Sequence, residues 1–275
     1  MLNVARDLLF VIVFQMGVAG AAAATVIAQG VSVLFCLIRM FRSDNEVPLR
    51  LSEIRFYPDL MRQVLAQGLP TGIQNSVISI GNTVIQSNIN SFGSFAMSGH
   101  GAYAKLEGFI FLPITCMSMS LPTYISQNLG AGKRDRLRKG ALFGIISSML
   151  LSTLFGLGIY FLAAHGIRLF VDEPQAVAFG VIHSRIVGPF FFLLSFSHCC
   201  SGVLRGCGKS IIPMITMLSF WCGVRIIYVT VAVRLIPEFR MISWAYPLTW
   251  GLSSLVLLIC FMRLDWMKKG EPVHG

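Results

Sequence analysis

From Gln63 to Ala104 the chain carries no Asp, Glu, Lys or Arg, a run of 42 residues. A water-soluble fold needs a solvated face on each surface element, so it does not tolerate so long a stretch without charge. Lipid removes that need. A spanning helix takes about 20 mostly apolar residues, so the run holds one span and the start of another, with a break near Ser91-Phe92-Gly93-Ser94. The whole chain agrees: 55% of its 275 residues are hydrophobic and 12% charged, and the mean hydropathy is +0.72. These values exclude an ordinary soluble domain. The fold class expected is all-α, a polytopic helical membrane bundle.

Further spans follow from the same criterion. Residues 18–38 hold no charge, whereas residues 39–62 hold five arginines and four acids and read as a loop. Spans are expected near 95–127, 141–164, from beyond Pro174 to about Leu204, near 210–233 and near 241–262. With 65–92 this makes seven. The opening segment is shorter. Counted from Met1 to Phe14 it rises only about 20 Å against roughly 30 Å of hydrocarbon. It is expected to be re-entrant or the end of a helix whose first half is missing, and the second reading is preferred.

Net charge is +10. Its distribution points away from nucleic acid. With the 39–62 loop inside, fifteen Lys and Arg fall on that side and three, Arg168, Arg234 and Arg240, on the other. That is the positive-inside bias of a membrane protein, with basic loops facing an anionic leaflet. It places the C-terminus in the cytoplasm of a multi-pass cell-membrane protein. Arg6, Lys105, Arg185 and Arg225 remain at or near membrane depth.

GVLRGCGKS (202–210) and LGAGKR (129–134) look like phosphate-binding loops. The first has Val203 where Gly is required, and the second has Arg134 in place of Ser or Thr. Both read as tight turns between helices. The seven cysteines are odd in number and irregularly spaced, so they read as packing residues, and His198-Cys199-Cys200 lacks a second ligand pair for a metal. No nucleophile–base constellation appears, so no enzyme is expected.

Polar residues inside the spans carry the functional reading. Thr71, Asn75, Ser79, Asn82, Gln86 and Asn90 recur every three or four residues, on one helical face. One or two such residues would serve as helix–helix glue. A full stripe reads as the wall of a substrate cavity. Glu107 is the one acid deep in the spans, with His100 two turns away on the same face, so the pair could relay a proton. A structural role beside Lys105 is the other reading of Glu107. His183 and Arg185 raise the same question. Asn3 and Asp7 lie four apart and would suit a hard cation or a proton. Alternatively, Arg6 beside Asp7 marks a helix starting at the membrane surface. Pro113, Pro122 and Pro189 are expected to kink their helices.

PTYISQNLGAGKRDRLRKG, GLPTGIQNSVISIGN, GVLRGCGKSIIPM and LNVARDLLF with GVAGAAAATVIAQ together resemble blocks of the multidrug and toxic compound extrusion (MATE) transporters, in the family's order and over nearly the whole chain. The resemblance implies twelve helices in two six-helix lobes around a central cavity. This chain would hold part of helix five and helices six to twelve, with the earlier helices of the N-lobe as a missing partner. Its expected parts are 1–60 as the end of the N-lobe, 61–265 as the C-lobe and 266–275 as a tail. The implied function is export of small organic, often cationic, compounds in exchange for Na⁺ or H⁺, with no other cofactor. One branch of the family binds its cation through an Asn and an Asp on helix five, a Thr on helix six and an Asp on helix one. Asn3, Asp7 and Thr25 fit the first three by spacing, and the helix-one Asp has no counterpart here. Another branch places acids on helices seven and ten, where this chain has none. Two alternatives stay open: a lipid-linked sugar flippase of the same superfamily, and a truncated chain without transport of its own.

Overall fold

The computed structural model describes residues 15–41 and 55–263. Among the described residues the regular structure is entirely helical. The chain divides into two compact units, Met1–Pro58 and Asp59–Gly275. The first contributes one described helix, α1 (Gly17–Phe41). The second is a bundle formed by α2 (Pro58–Asn90), α3 (Ser94–Gly130), α4 (Arg134–Arg168), α5 (Pro174–Val187), α6 (Phe191–Gly206), α7 (Ile211–Met217), α8 (Arg225–Leu235) and α9 (Phe239–Arg263).

Among the described residues, six stretches are long and apolar enough to cross a membrane: Ala22–Phe41, Ser94–Gly130, Arg134–Arg168, Pro174–Gly206, Ile211–Leu235 and Phe239–Arg263. Seven were expected. The seventh, α2, is a continuous helix of 33 residues, but its amides and hydroxyls leave it short of the apolarity that a lone span needs.

Two of the spans are broken internally. Gly188–Phe190 forms a 3₁₀ turn between α5 and α6, where Pro189 supplies no N–H for the ladder. Leu218–Val224 forms a π-helical turn between α7 and α8. Such turns are rare and recur at functional sites because the extra residue re-aims the side chains around it. Pro113 and Pro122 lie inside α3, as do Pro70 in α2 and Pro247 in α9.

The two G-x-G-K sequences are helix ends. After α3, Lys133 N donates to Asn128 O at 2.9 Å and Gly132 N to Leu129 O at 3.1 Å. After α6, Lys209 N donates to Leu204 O and Gly208 N to Arg205 O, both at 2.9 Å. This is the Schellman pattern, in which the penultimate position turns left-handed. Gly132 has φ 69° and Gly208 φ 78°, so the glycines are there for backbone geometry.

The core lies in three apolar layers along the bundle, and α3 passes through all of them. Ala96 joins Ile85, Ile89, Val229, Phe239 and Ile242. Tyr103, Ile110 and Ile114 pack on Phe191, Leu194, Trp221 and Trp250 in the middle. Leu121 and Ile125 pack on Leu137, Ile145, Val203 and Leu204 beside the two Schellman turns. Hydroxyls stitch the helices together at depth. Ser195 donates to Ser148 at 2.7 Å, Ser197 shares hydrogen bonds with Ser253 (3.2 Å) and Ser254 (2.9 Å), and the indole of Trp221 donates to Ser253 at 3.0 Å. In lipid, where apolar contact gives no hydrophobic gain over the solvent, such bonds and close packing hold helices together.

Candidate functional site: a polar-walled cavity in the bundle

The buried side of α2 sets the position of its polar face. Gln74, Gly81, Ile85 and Ile89 face inward. Gly81 lies against Cys222, whose thiol donates to Val77 O at 3.3 Å. At one end of the seam Gln67 Nε2 donates to Gly208 O at 2.8 Å, and Ser210 donates to Gln67 Oε1. α2 is therefore docked on residues 208–222, and the amides lie on the adjoining face, about 100° around the helix.

That face borders a cavity of about 950 Å³. Asn75, Ser79, Asn82 and Gln86 of the stripe line it, as does Thr71. Asn90, the last residue of the stripe, is outside the lining. It accepts a hydrogen bond from Gln86 Nε2 at 2.9 Å and so holds a lining residue from one turn away. Gln74, off the stripe and almost wholly buried, also reaches the cavity. Its amide nitrogen donates to Met217 Sδ at 2.8 Å, and its Oε1 has no protein partner.

Both His100 and Glu107 of α3 line the same cavity. Tyr103 stands between them: its hydroxyl donates to Glu107 Oε1 at 3.4 Å and its ring stacks on His100 with centroids 6.0 Å apart. His183 of α5 completes the cluster, 4.4 Å from the Tyr103 ring and 4.9 Å from His100, with Nδ1 hydrogen-bonded to Ser243 at 2.9 Å. His100 Nδ1 and His183 Nε2 have no protein partner. The partner of Glu107 is thus Tyr103, whereas Lys105 turns away and holds its ammonium 5.1 Å from the centre of the Phe170 ring. Residues two apart on a helix do not share a face.

Arg225 enters the cavity from the residue that ends the π turn. It is 2% exposed. Its Nε and Nη2 donate to Thr249 Oγ1 at 3.1 and 2.8 Å, and its guanidinium lies 4.7 Å from the Tyr246 ring and 5.3 Å from that of Trp221. The sequence placed Arg225 only near membrane depth, because a 3.6-residue period cannot foresee a π turn. His198 also lines the cavity, while Cys199 and Cys200 turn into the apolar layer behind it. The three consecutive residues therefore do not converge. Among the described residues no group of three or more His, Cys, Asp and Glu side chains could hold a metal. Asn3 and Asp7 of the expected cation site lie outside the described residues, and Thr25 lies on α1.

A helical membrane bundle that borders a half-open cavity walled by amides, with a carboxyl and two guanidinium groups in its lining, defines a polytopic membrane protein with a solute-sized site. The MatE family model matches residues 70–231, and the chain belongs to that family, the multidrug and toxic compound extrusion proteins. It is 30% identical over 221 residues to a probable multidrug resistance protein, YpnP, of Bacillus subtilis (strain 168), covering 80% of this chain and 49% of that protein. It is 29% identical over 208 residues to a probable multidrug resistance protein, NorM, of Thermotoga maritima, covering 75% and 45%. The chain spans about half the length of these curated relatives. A solved outward-facing multidrug resistance MATE family transporter of the MOP superfamily superimposes with a TM-score of 0.89 over 98% of this chain and 61% of its own, at 20% identity. This likeness shows the fold.

Proposed function

We propose that the chain is the cavity-bearing part of a secondary active exporter of small organic compounds, coupled to inward flow of Na⁺ or H⁺. The observation that carries this reading is the chamber itself: a polar stripe on α2 faces Glu107 and Arg225 across about 950 Å³, enough for a drug-sized molecule. The names of its relatives, multidrug resistance proteins, point the same way. Trp221, Tyr246 and Trp250 in the lining favour a compact ring-bearing solute over a lipid-linked sugar.

In this scheme residues 61–265 act as one lobe and residues 1–60 as the end of the other, completed by N-lobe helices. The protein sits in the cell membrane with its C-terminus in the cytoplasm. Asp7 is the ion-binding acid with Asn3 and Thr25 as neutral ligands, Glu107 and His100 hand a proton along the cavity wall, and ion binding biases the lobes between inward- and outward-open states. The test is dye uptake into everted vesicles of a drug-sensitised strain producing the protein, under imposed Na⁺ or H⁺ gradients. Asp7→Asn is expected to abolish gradient-driven uptake while dye binding persists. Unchanged coupling in the variant would remove Asp7 from the mechanism.

A further inference from the structure

The charges of the cavity do not match a cationic cargo. Its lining holds one carboxyl, Glu107, and two guanidinium groups, Arg205 and Arg225, with His100 and His198 beside them. Counting the carboxyl and the two guanidinium groups, the formal balance is one positive charge, and an excess of one sign along a cleft concentrates its field. Arg225 is the group that needs explaining. An arginine at membrane depth is costly and points to a ligand or a partner. Glu107 of the same cavity attracts it through space, but a purely structural role would need a carboxylate in contact or a full set of acceptors. The guanidinium has five N–H donors, and the hydrogen bonds it makes go to a single neutral oxygen, Thr249 Oγ1. That hydroxyl in turn donates to Ala245 O at 2.8 Å, which fixes its lone pairs toward the guanidinium. Tyr246 and Trp221 cover the guanidinium by its π face, not by its edge. Ring faces and one hydroxyl hold the group in place and leave in-plane donors for a ligand, the geometry in which arginine grips a carboxylate or phosphate two-pronged.

Resting on the transport reading above, we propose that the cavity selects aromatic organic anions, with the acid group on Arg225 and the ring body among Trp221, Tyr246 and Trp250. Thr249 is then a positioning residue, since it touches the guanidinium and not the ligand. The two arginines differ in kind. Arg205 reaches Ser118 at 3.5 Å and is only partly buried, so it adds field, while Arg225 adds a fixed contact.

The test uses a matched pair with one ring system and opposite charge, pyrenebutyrate and pyrenebutyl-trimethylammonium. Both are titrated into the purified protein in nanodiscs, and binding is read by energy transfer from the cavity tryptophans. Pyrenebutyrate is expected to bind at least tenfold tighter than the cation. Arg225→Gln is expected to reduce its affinity by roughly tenfold to a hundredfold, the value of a charge-assisted hydrogen bond, and Arg225→Lys to restore part of it. The comparison of the two probes on the unaltered protein needs no variant to fold. Equal or tighter binding of the cation, binding of neither probe, or an Arg225→Gln variant that holds the anion as well as before would each overturn the assignment. Transport separates the two proposals. If the cation is bound and exported, the anion inference fails and the exporter reading stands. If the anion is bound but never moved, the inference stands and the exporter reading fails.

Discussion

Glu107 accepts a hydrogen bond from Tyr103, and Arg225 donates to Thr249, so each of these membrane-embedded charged residues leans on a neutral hydroxyl. Neighbours of this kind hold a side chain in place without a contact ion pair, and Glu107 and Arg225 attract each other only through space. Glu107 was legible in the sequence because acids are absent from the rest of the deep spans. Arg225 and Tyr103 were not: one depends on the π turn that precedes it, and the other looks like any core aromatic until His100, His183 and Glu107 are seen around it. Gln74 was missed for a simpler reason, since it lies one residue off the stripe and about 100° around the helix from it. Outside the spans, burial pushes the Cys207 thiol up to about 11, with Lys209 partly opposing the shift. The thiol form is therefore dominant at neutral pH. Alkylation of Cys207 by iodoacetamide, followed by mass spectrometry of the 200–210 peptide, is expected to be very slow at pH 7.5 and to rise about tenfold per pH unit toward 11. Fast labelling at pH 7.5 would mean that this turn opens.

At the level of elements, close backbone approach does the work that large side chains do in water-soluble bundles. α3 and α5 touch through Gly99 and Gly180: a Cβ on Gly180 would lie 2.9 Å from Gly99 O and 3.0 Å from Ile167 Cδ1. α4 meets the 3₁₀ turn through Gly156 and Gly188 in the same way, with 2.8 Å from a Cβ on Gly188 to Gly156 O. Backbone atoms cannot yield as a flexible side chain does. Gly180→Ala is expected to cost about 1–3 kcal/mol, as overpacking does, seen as a lowered melting temperature by tryptophan fluorescence in detergent. Gly158→Ala, where a Cβ meets nothing within 4 Å, is the control and is expected to change nothing. A Gly180→Ala variant as stable as the parent would show that α3 and α5 can separate freely. Helix extents were readable from charge-free runs, and the turns from G-x-G-K. The internal breaks at Gly188–Phe190 and Leu218–Val224 were less so: Pro189 marked a kink but not its 3₁₀ form, and nothing marks a π turn in an apolar run.

For the whole molecule, the order of blocks along the chain carried the family, which the family model over residues 70–231 and a 30% identical relative bear out, while the structural likeness shows the fold over nearly the full length. Hydropathy alone would have miscounted the spans, because the helix that walls the cavity is the one it undervalues. The proposed orientation rests on the fifteen-to-three bias of Lys and Arg between the two sides. Green fluorescent protein fused after Gly275 is expected to be bright, and alkaline phosphatase there inactive. The same phosphatase fused after Val171, in the connection on the far side, is expected to be active. The reverse pattern would invert the proposed topology.

α2 also constrains how the protein is made. Its buried face docks on residues that come much later: Gln74 and its partner Met217 are 143 residues apart in the chain. At a synthesis rate of about 5–20 residues per second, roughly 7–30 s pass between the two leaving the ribosome. During that interval a helix too polar to enter lipid alone has no docking surface, and its row of amides must be sheltered by the insertion machinery. The feature that makes the chamber wet makes α2 a late arrival in its own bundle, and its release into the bilayer waits for the second half of the chain.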